Sequence, residues 1–162
     1  MTEFTEAELA YLKSQRLGRL ATVDPQGQPQ ANPVGFFPQA DGTILIGGYA
    51  MGSTKKWRNL RQNPKVALVV DDIVSLKPWR VRGIDIRGEA ELLTGPHQLG
   101  PHMSEEVIRI HPRRIHSWVW RTEGSGVSHA VRQHLVESPH PRRALQGQQP
   151  DLPVEAARIA CQ

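Results

Sequence analysis

Along the first 120 residues the apolar positions change period several times, and each change marks an element. Thr5-Glu6-Ala7-Glu8 places a hydroxyl at a helix cap with a carboxylate three residues on, and Leu9 and Leu12 follow at helical spacing. That pattern predicts a helix over 6–15. The period then drops to two. GRLATVD (18–24), a DPQG turn and QPQANPVGFF (28–37) read as two strands joined by a tight connection. Pro33 within the second marks an edge, a bulge or an opening, because proline cannot donate to a ladder. After the Asp41-Gly42 turn, TILIGGYA (43–50) reads as a third strand. A short helix over 54–62, capped by Ser53 or Thr54, stops at Asn63-Pro64, and KVALVVDD (65–72) follows as a near-continuous apolar strand.

The clearest alternation comes in GIDIRGEAELL, where Ile84, Ile86, Ala90 and Leu92 share one face and Asp85, Arg87, Glu89 and Glu91 the other. Gly88 within it predicts a bend or a barrel corner. VIRI (107–110) supplies a sixth strand and RIHSWVW (114–120) a candidate seventh. Six or seven short strands with few helices predict an all-β barrel or sandwich. From residue 121 the apolar pattern thins. A helix is expected at 127–136 and a short one at 153–160, with 137–152 as a poorly ordered linker. The expected organisation is a β domain over 1–120 and an extension over 121–162, partly helical and partly flexible.

Composition narrows the function classes. A chain of 162 residues buries a substantial core as one domain without disulfides, and its one cysteine, Cys161, allows no intrachain pair and no zinc spacing. No apolar run approaches the roughly 18 residues of a membrane span, and the acidic, amphipathic start lacks the pattern of a secretory signal. A cytoplasmic protein without membrane partners is expected. The net charge is +4, but nine basic residues stand against three acids between positions 55 and 87. Such a field attracts anions: nucleic acid, or a small phosphorylated or carboxylated ligand. A solvated basic surface would look the same.

Three stretches carry candidate chemistry. MGSTKKWRN (51–59) puts Lys55 and Lys56 in the first turn of a helix, where the backbone already bears partial positive charge. Helix N-termini bind anions through free N–H groups; Ser53 and Thr54 add hydroxyls, and Gly52 allows close approach. Ordinary surface lysines are the competing explanation. KPWRVRG (77–83) sets Lys77, Arg80 and Arg82 around Trp79, suited to nucleic acid or to a planar heterocycle with an anionic tail, or simply to a turn with extended basic side chains. ANPVGF (31–36) is a rigid apolar segment able to lie against a flat ring, with Asn32 to bond a ring carbonyl; more often Asn-Pro is only a turn. No G-x-S-x-G, H-E-x-x-H, P-loop or Rossmann glycine pattern is present. An enzyme built this way needs a cofactor to carry the chemistry.

The order GRLATVDPQGQPQANPVGF, ILIGG, STKKWRNLRQNPKVALVVDD, PWRVRGIDIRGEAEL and IRIHPRRIHSW, spanning about residues 8–120, resembles the pyridoxamine 5′-phosphate oxidase-like superfamily of split β-barrels. Within that superfamily it is most similar to the actinobacterial branch that uses coenzyme F420. The resemblance implies a mainly β, six-stranded split barrel with short flanking helices, a homodimer with two cofactor sites along its interface. It implies that Ser53, Thr54, Lys55 and Lys56 bind the cofactor's phosphate and acidic tail, and that Asn32, Pro33 and Val34 line its ring. Lys77, Trp79 and Arg80 would close the site, and Trp118 would reach the partner's. The implied activity is hydride transfer from reduced F420 to an activated C=C of a small molecule: an enone, a quinone-like compound, or a dehydrotetracycline-type polyketide of an antibiotic pathway. FMN is the alternative cofactor, since one phosphate needs a shorter basic track. A non-catalytic flavin- or F420-binding protein is the alternative outside catalysis. Nucleic acid is not expected as a partner, because the basic residues follow no nucleic-acid signature.

Overall fold

The computed structural model describes residues 4–96, 99–123 and 126–135, with side chains described through Trp118. Helix α1 (Glu6–Ser14) begins as the capping box requires: Thr5 N–H donates to Glu8 Oε2 at 2.8 Å, and Glu8 N–H donates to Thr5 Oγ1 at 3.2 Å. Two strands follow, β1 (Gly18–Val23) and β2 (Pro29–Val34), then the short β3 (Phe37–Pro38) and β4 (Ile44–Ile46). A single 3₁₀ turn (Met51–Ser53) leads into α2 (Lys55–Gln62), and the long strands β5 (Lys65–Leu76), β6 (Trp79–Thr94) and β7 (Glu106–Glu123) complete the core.

Every pairing is antiparallel, in the order β2-β1-β5-β6-β7-β4-β3, so seven strands form one path. Its two end strands, β2 and β3, are separated in sequence only by Gly35 and Phe36 yet share no ladder. Strands so close in the chain cannot sit at opposite ends of a flat sheet. The sheet must curl until its edges approach without closing, which is a split barrel. Phe36 and the inward residues Leu20, Ile46, Leu68, Ile84, Ile86 and Ile115 fill the interior.

Both expected strands around HPRR are one continuous β7. The bend at Gly88 is present, and its cause lies across the ladder. Arg87 pairs with Arg114 but Gly88 pairs with Pro112, so Arg113 is an extra residue at a bulge. A Cβ on Gly88 would collide with the His111 carbonyl oxygen.

The helix expected at 127–136 is instead an eighth strand, β8 (Gly126–Leu135), paired antiparallel with β7 from Glu123↔Gly126 to Arg114↔Leu135. The apolar spacing there fits a helix, but the free edge of β7 offers ten consecutive ladder partners, and pairing overrides a weak local preference. Among the described residues the strand count is therefore eight rather than six or seven, two of them only two or three residues long. Expectations for 137–152 and 153–160 fall outside the described residues.

The helices plug opposite ends of the barrel's concave side. At one end, Tyr11 Oη donates to Asp72 Oδ1 (3.2 Å), Arg82 grips the same carboxylate with two bonds (2.8 and 2.9 Å), and its guanidinium lies 4.8 Å from the Tyr11 ring centroid. Burial, then the Asp72 charge, pushes the Tyr11 phenol well above its ordinary value. Ser117 Oγ donates to the buried Glu8 carboxylate at 2.7 Å, fixing α1 to β7. At the other end, α2 meets β1 and β2 through Asn59.

Candidate functional site

Helix α2 is short and has no acid in its first turn. Thr54 caps it: its hydroxyl accepts from Trp57 N–H at 3.3 Å and donates to the Met51 carbonyl at 2.7 Å. Ser53 donates its hydroxyl to the Ala50 carbonyl at 3.0 Å, and Arg58 donates to the Ser53 carbonyl at 2.7 Å. Both hydroxyl hydrogens expected to reach a ligand are thus spent on backbone carbonyls. The donors left at this turn are the N–H groups of Lys55 and Lys56, which have no acceptor among the described residues.

The two lysines differ. Lys55 Nζ lies 3.5 Å from Asp24 Oδ2, in the turn between β1 and β2. That carboxylate also accepts the Gln28 and Gln26 N–H groups (2.9 and 3.1 Å). The Gln28 bond first, then those of Gln26 and Lys55, hold its pKa below the usual carboxylate range. Lys56 has no ion pair among the described residues, and it precedes Asn59 and Leu60 by three and four positions on the face that packs inward. Burial lowers its pKa, a cost that no carboxylate among the described residues offsets. Two free N–H groups beside an uncompensated, half-buried ammonium form a fitting cradle for the anionic tail of a ligand.

Gly52 serves a different neighbour from the one its sequence suggests. An added Cβ would lie 2.7 Å from Glu106 Oε1, so the close approach is to a β7 side chain. Ser104 fixes the same turn, its hydroxyl accepting from Met51 N–H and donating to the Gly48 carbonyl, each at 3.1 Å.

Strand β2 is an edge of the sheet, as Pro33 suggested. Asn32 pairs with Leu20 and faces inward half-buried, Val34 is buried, and Pro33 lies exposed on the opposite face. Asn59, itself buried, donates to Thr22 Oγ1 at 3.0 Å and to Gln30 Oε1 at 3.4 Å, linking α2 to this edge. The α2 turn and the inward face of β2 therefore belong to one region.

The remaining expected residues do not join it within one chain. Lys77 forms the tip of the β5–β6 hairpin, where Leu76 pairs with Trp79 and Ser75 with Arg80. The twelve residues of β5 put that tip about 40 Å along the strand from the α2 end. Trp79 is 60% exposed there, beside exposed Leu76, Val74 and Ile73. Trp118 packs over Gly83 on the outer face of its own sheet, edge-on to His116 with ring centroids 5.8 Å apart. Sequence reasoning expected the hairpin residues to close the cofactor site and Trp118 to reach the partner's; within one chain both lie apart from the α2–β2 region. It also missed Asp24 and Asn59. Asp24 was visible only as a turn residue, and Asn59 carries no signal apart from its place on α2.

A curled antiparallel sheet open between β2 and β3, with an anion-ready helix at one rim, is the split barrel of flavin-type proteins. The chain belongs to the pyridoxamine 5′-phosphate oxidase family, whose sequence profile matches residues 4–119. A curated relative from Streptomyces rimosus, named a 5a,11a-dehydrotetracycline/5a,11a-dehydrooxytetracycline reductase, is 47% identical over 117 residues, covering 71% of this chain and 82% of its own. Among solved structures, a conserved hypothetical protein of Mycobacterium tuberculosis matches with a TM-score of 0.57 at 24% identity, over 76% of this chain and 94% of that one. A pyridoxamine 5′-phosphate oxidase-related, FMN binding protein of Nostoc punctiforme matches with a TM-score of 0.57 at 11% identity, over 85% and 98%. At those identities the two structures establish a common fold. Among the described residues, no helix is long and apolar enough to cross a membrane.

Proposed function

We propose that this chain is a cytoplasmic F420-dependent reductase that acts on an activated C=C of a small, conjugated substrate, of the dehydrotetracycline type or a related enone or quinone. The carrying observation is the 47% identity to a relative named for that reduction. When bound, the reduced deazaflavin would supply a hydride to the electrophilic carbon, and a proton from water or a nearby side chain would complete the reduction of the C=C. The protein's part is to bind, orient and shelter. The N–H groups of Lys55 and Lys56 and the Lys56 ammonium hold the anionic tail, and the Asn32–Val34 edge carries the ring. Gly52, Ser53 and Thr54 shape the turn. The protein's role is orientation and exclusion rather than acid–base chemistry, and Asp24, a carboxylate at this rim, is already paired with Lys55.

Two copies complete the site. Within one chain Lys77, Trp79 and Arg80 lie far from α2, and the exposed apolar hairpin tip suits burial against a second protomer. In a homodimer the partner's hairpin would cover the cofactor and Trp118 would border the other site. Residues 1–120 carry the cofactor machinery, and the chain beyond 121 is an extension whose first part prolongs the sheet. Reduction of a polyketide of this class would place the protein in antibiotic biosynthesis.

FMN is the rival cofactor, favoured by the name of the Nostoc structure, and a carrier without turnover is the rival role. The purified protein's absorbance spectrum and titrations with F420 and FMN separate them. Retained FMN with no F420 affinity overturns the cofactor assignment. Failure to oxidise reduced F420 with any enone, quinone or dehydrotetracycline acceptor overturns the reductase assignment in favour of a carrier.

A further inference from the structure

We infer that Gln30 is a ligand-binding residue of this site, donating to a carbonyl oxygen of the bound ring, and that Asn59 is the positioning residue that orients it. The inference rests on the cofactor reading above and extends it to a residue outside the anion-binding turn. Thr22↔Gln30 and Leu20↔Asn32 are cross-strand pairs, so Gln30 and Asn32 stand on the same inward face of the edge strand, two positions and about 7 Å apart. Asn59 is only 3% exposed, and both hydrogens of its amide nitrogen are engaged, by Thr22 Oγ1 and Gln30 Oε1. A polar chain thus runs from the core to the half-buried rim, where an apolar residue would have packed more simply.

Its consequence is directional. Because the Gln30 oxygen is the group that accepts from Asn59, its NH2 group points the other way, and that group has no acceptor among the described residues. The rim therefore offers a donor from Gln30, while Asn32 beside it offers both a donor and an acceptor. The matching ligand edge has two carbonyl oxygens flanking an N–H. That is the pyrimidinedione edge that flavins and deazaflavins share, so Gln30 reads the ring and is indifferent to the tail.

The test titrates the wild-type protein, Gln30→Glu, Gln30→Leu and Lys56→Ala with F420, FMN and the tail-less rings riboflavin and 5-deazariboflavin. Ligand fluorescence, the visible spectrum of the bound ring and thermal unfolding of each free protein are recorded. Gln30→Glu keeps the oxygen that Asn59 needs but removes the donor, so the free protein should unfold as the wild type does. Both Gln30 variants should weaken every ligand the wild type binds, the tail-less rings included, by about 3- to 10-fold for Leu and more for Glu, and should shift the bound ring's absorption maximum. Lys56→Ala should weaken chiefly the tail-bearing ligands. Unchanged affinity and spectrum in both Gln30 variants, with Lys56→Ala still impaired, overturns the inference and leaves the cofactor reading intact. If the wild type binds none of the four ligands, the cofactor reading fails and the inference falls with it.

Discussion

Replacing Lys56 with alanine separates a binding role from a folding role more sharply than any other single change. In the free protein, three small terms oppose one another. Removing a cation from the N-terminal turn relieves repulsion worth about 0.3–1 kcal/mol, and alanine adds a few tenths through helix propensity. Losing one or two packed stem methylenes costs about 0.8 kcal/mol each. The net change lies within about 1 kcal/mol of zero, and for a chain of this length the unfolding temperature should move by no more than about 3 °C. In the complex the terms align. A hydrogen bond to a charged group contributes about 1.5–3 kcal/mol, so affinity for the anionic cofactor should fall by about 10- to 100-fold. Differential scanning fluorimetry of the free protein and fluorescence titration with cofactor read the two quantities independently. A fall of more than about 6 °C in Tm with affinity essentially unchanged would refute the assignment and make Lys56 a packing residue.

Lys55→Ala should behave differently: the 3.5 Å pair with Asp24 is solvent-screened and weak, so dipole relief and pair loss nearly cancel, and Tm should stay within about 3 °C of wild type. Mixing a Lys55→Ala/Lys56→Ala protein with a Trp79→Ala protein tests the shared site. In randomly mixed dimers about a quarter of all sites would be free of either defect if the hairpin is donated by the partner, whereas a site built within one chain would recover no activity. Gly88→Ala should be among the most damaging core changes, about 3 kcal/mol or more by chemical denaturation, because the obstacle is the His111 backbone carbonyl. Asp72→Asn should loosen α1. The hydrogen bonds from Arg82 lower the Asp72 pKa, so its contribution is present in full above the unfolded value near pH 4 and is lost as pH falls through the folded value. Urea titrations should therefore show a stability gap between wild type and variant at pH 7 that narrows below about pH 4.

What could be read from the chain was whatever a few neighbouring residues decide among themselves. The Thr5–Glu8 capping box, the cap at Thr54, the alternation through Ile84–Leu92 and the anion-ready turn at Lys55-Lys56 are all short-range features, and each is where its pattern put it. The order of those motifs along the chain carried the family as well. Where local preference was weak, pairing took over. Val127, Ala130, Val131 and Leu135 have helical spacing, but a strand already standing beside them, β7, offered a ladder that no local rule contains. Only the tertiary structure brought Asp24 to Lys55 and Asn59 to Gln30, contacts that span 31 and 29 positions (55 − 24 and 59 − 30) and depend on the register between β1 and β2 and on the angle at which α2 crosses them. It also parted residues that motif order had grouped, since a twelve-residue strand stands between the α2 turn and the Trp79 hairpin. Sequence specifies the chemistry each side chain brings. Which chemistries meet is set by strand register and by the curl of the sheet, which arise from the packing of the whole chain.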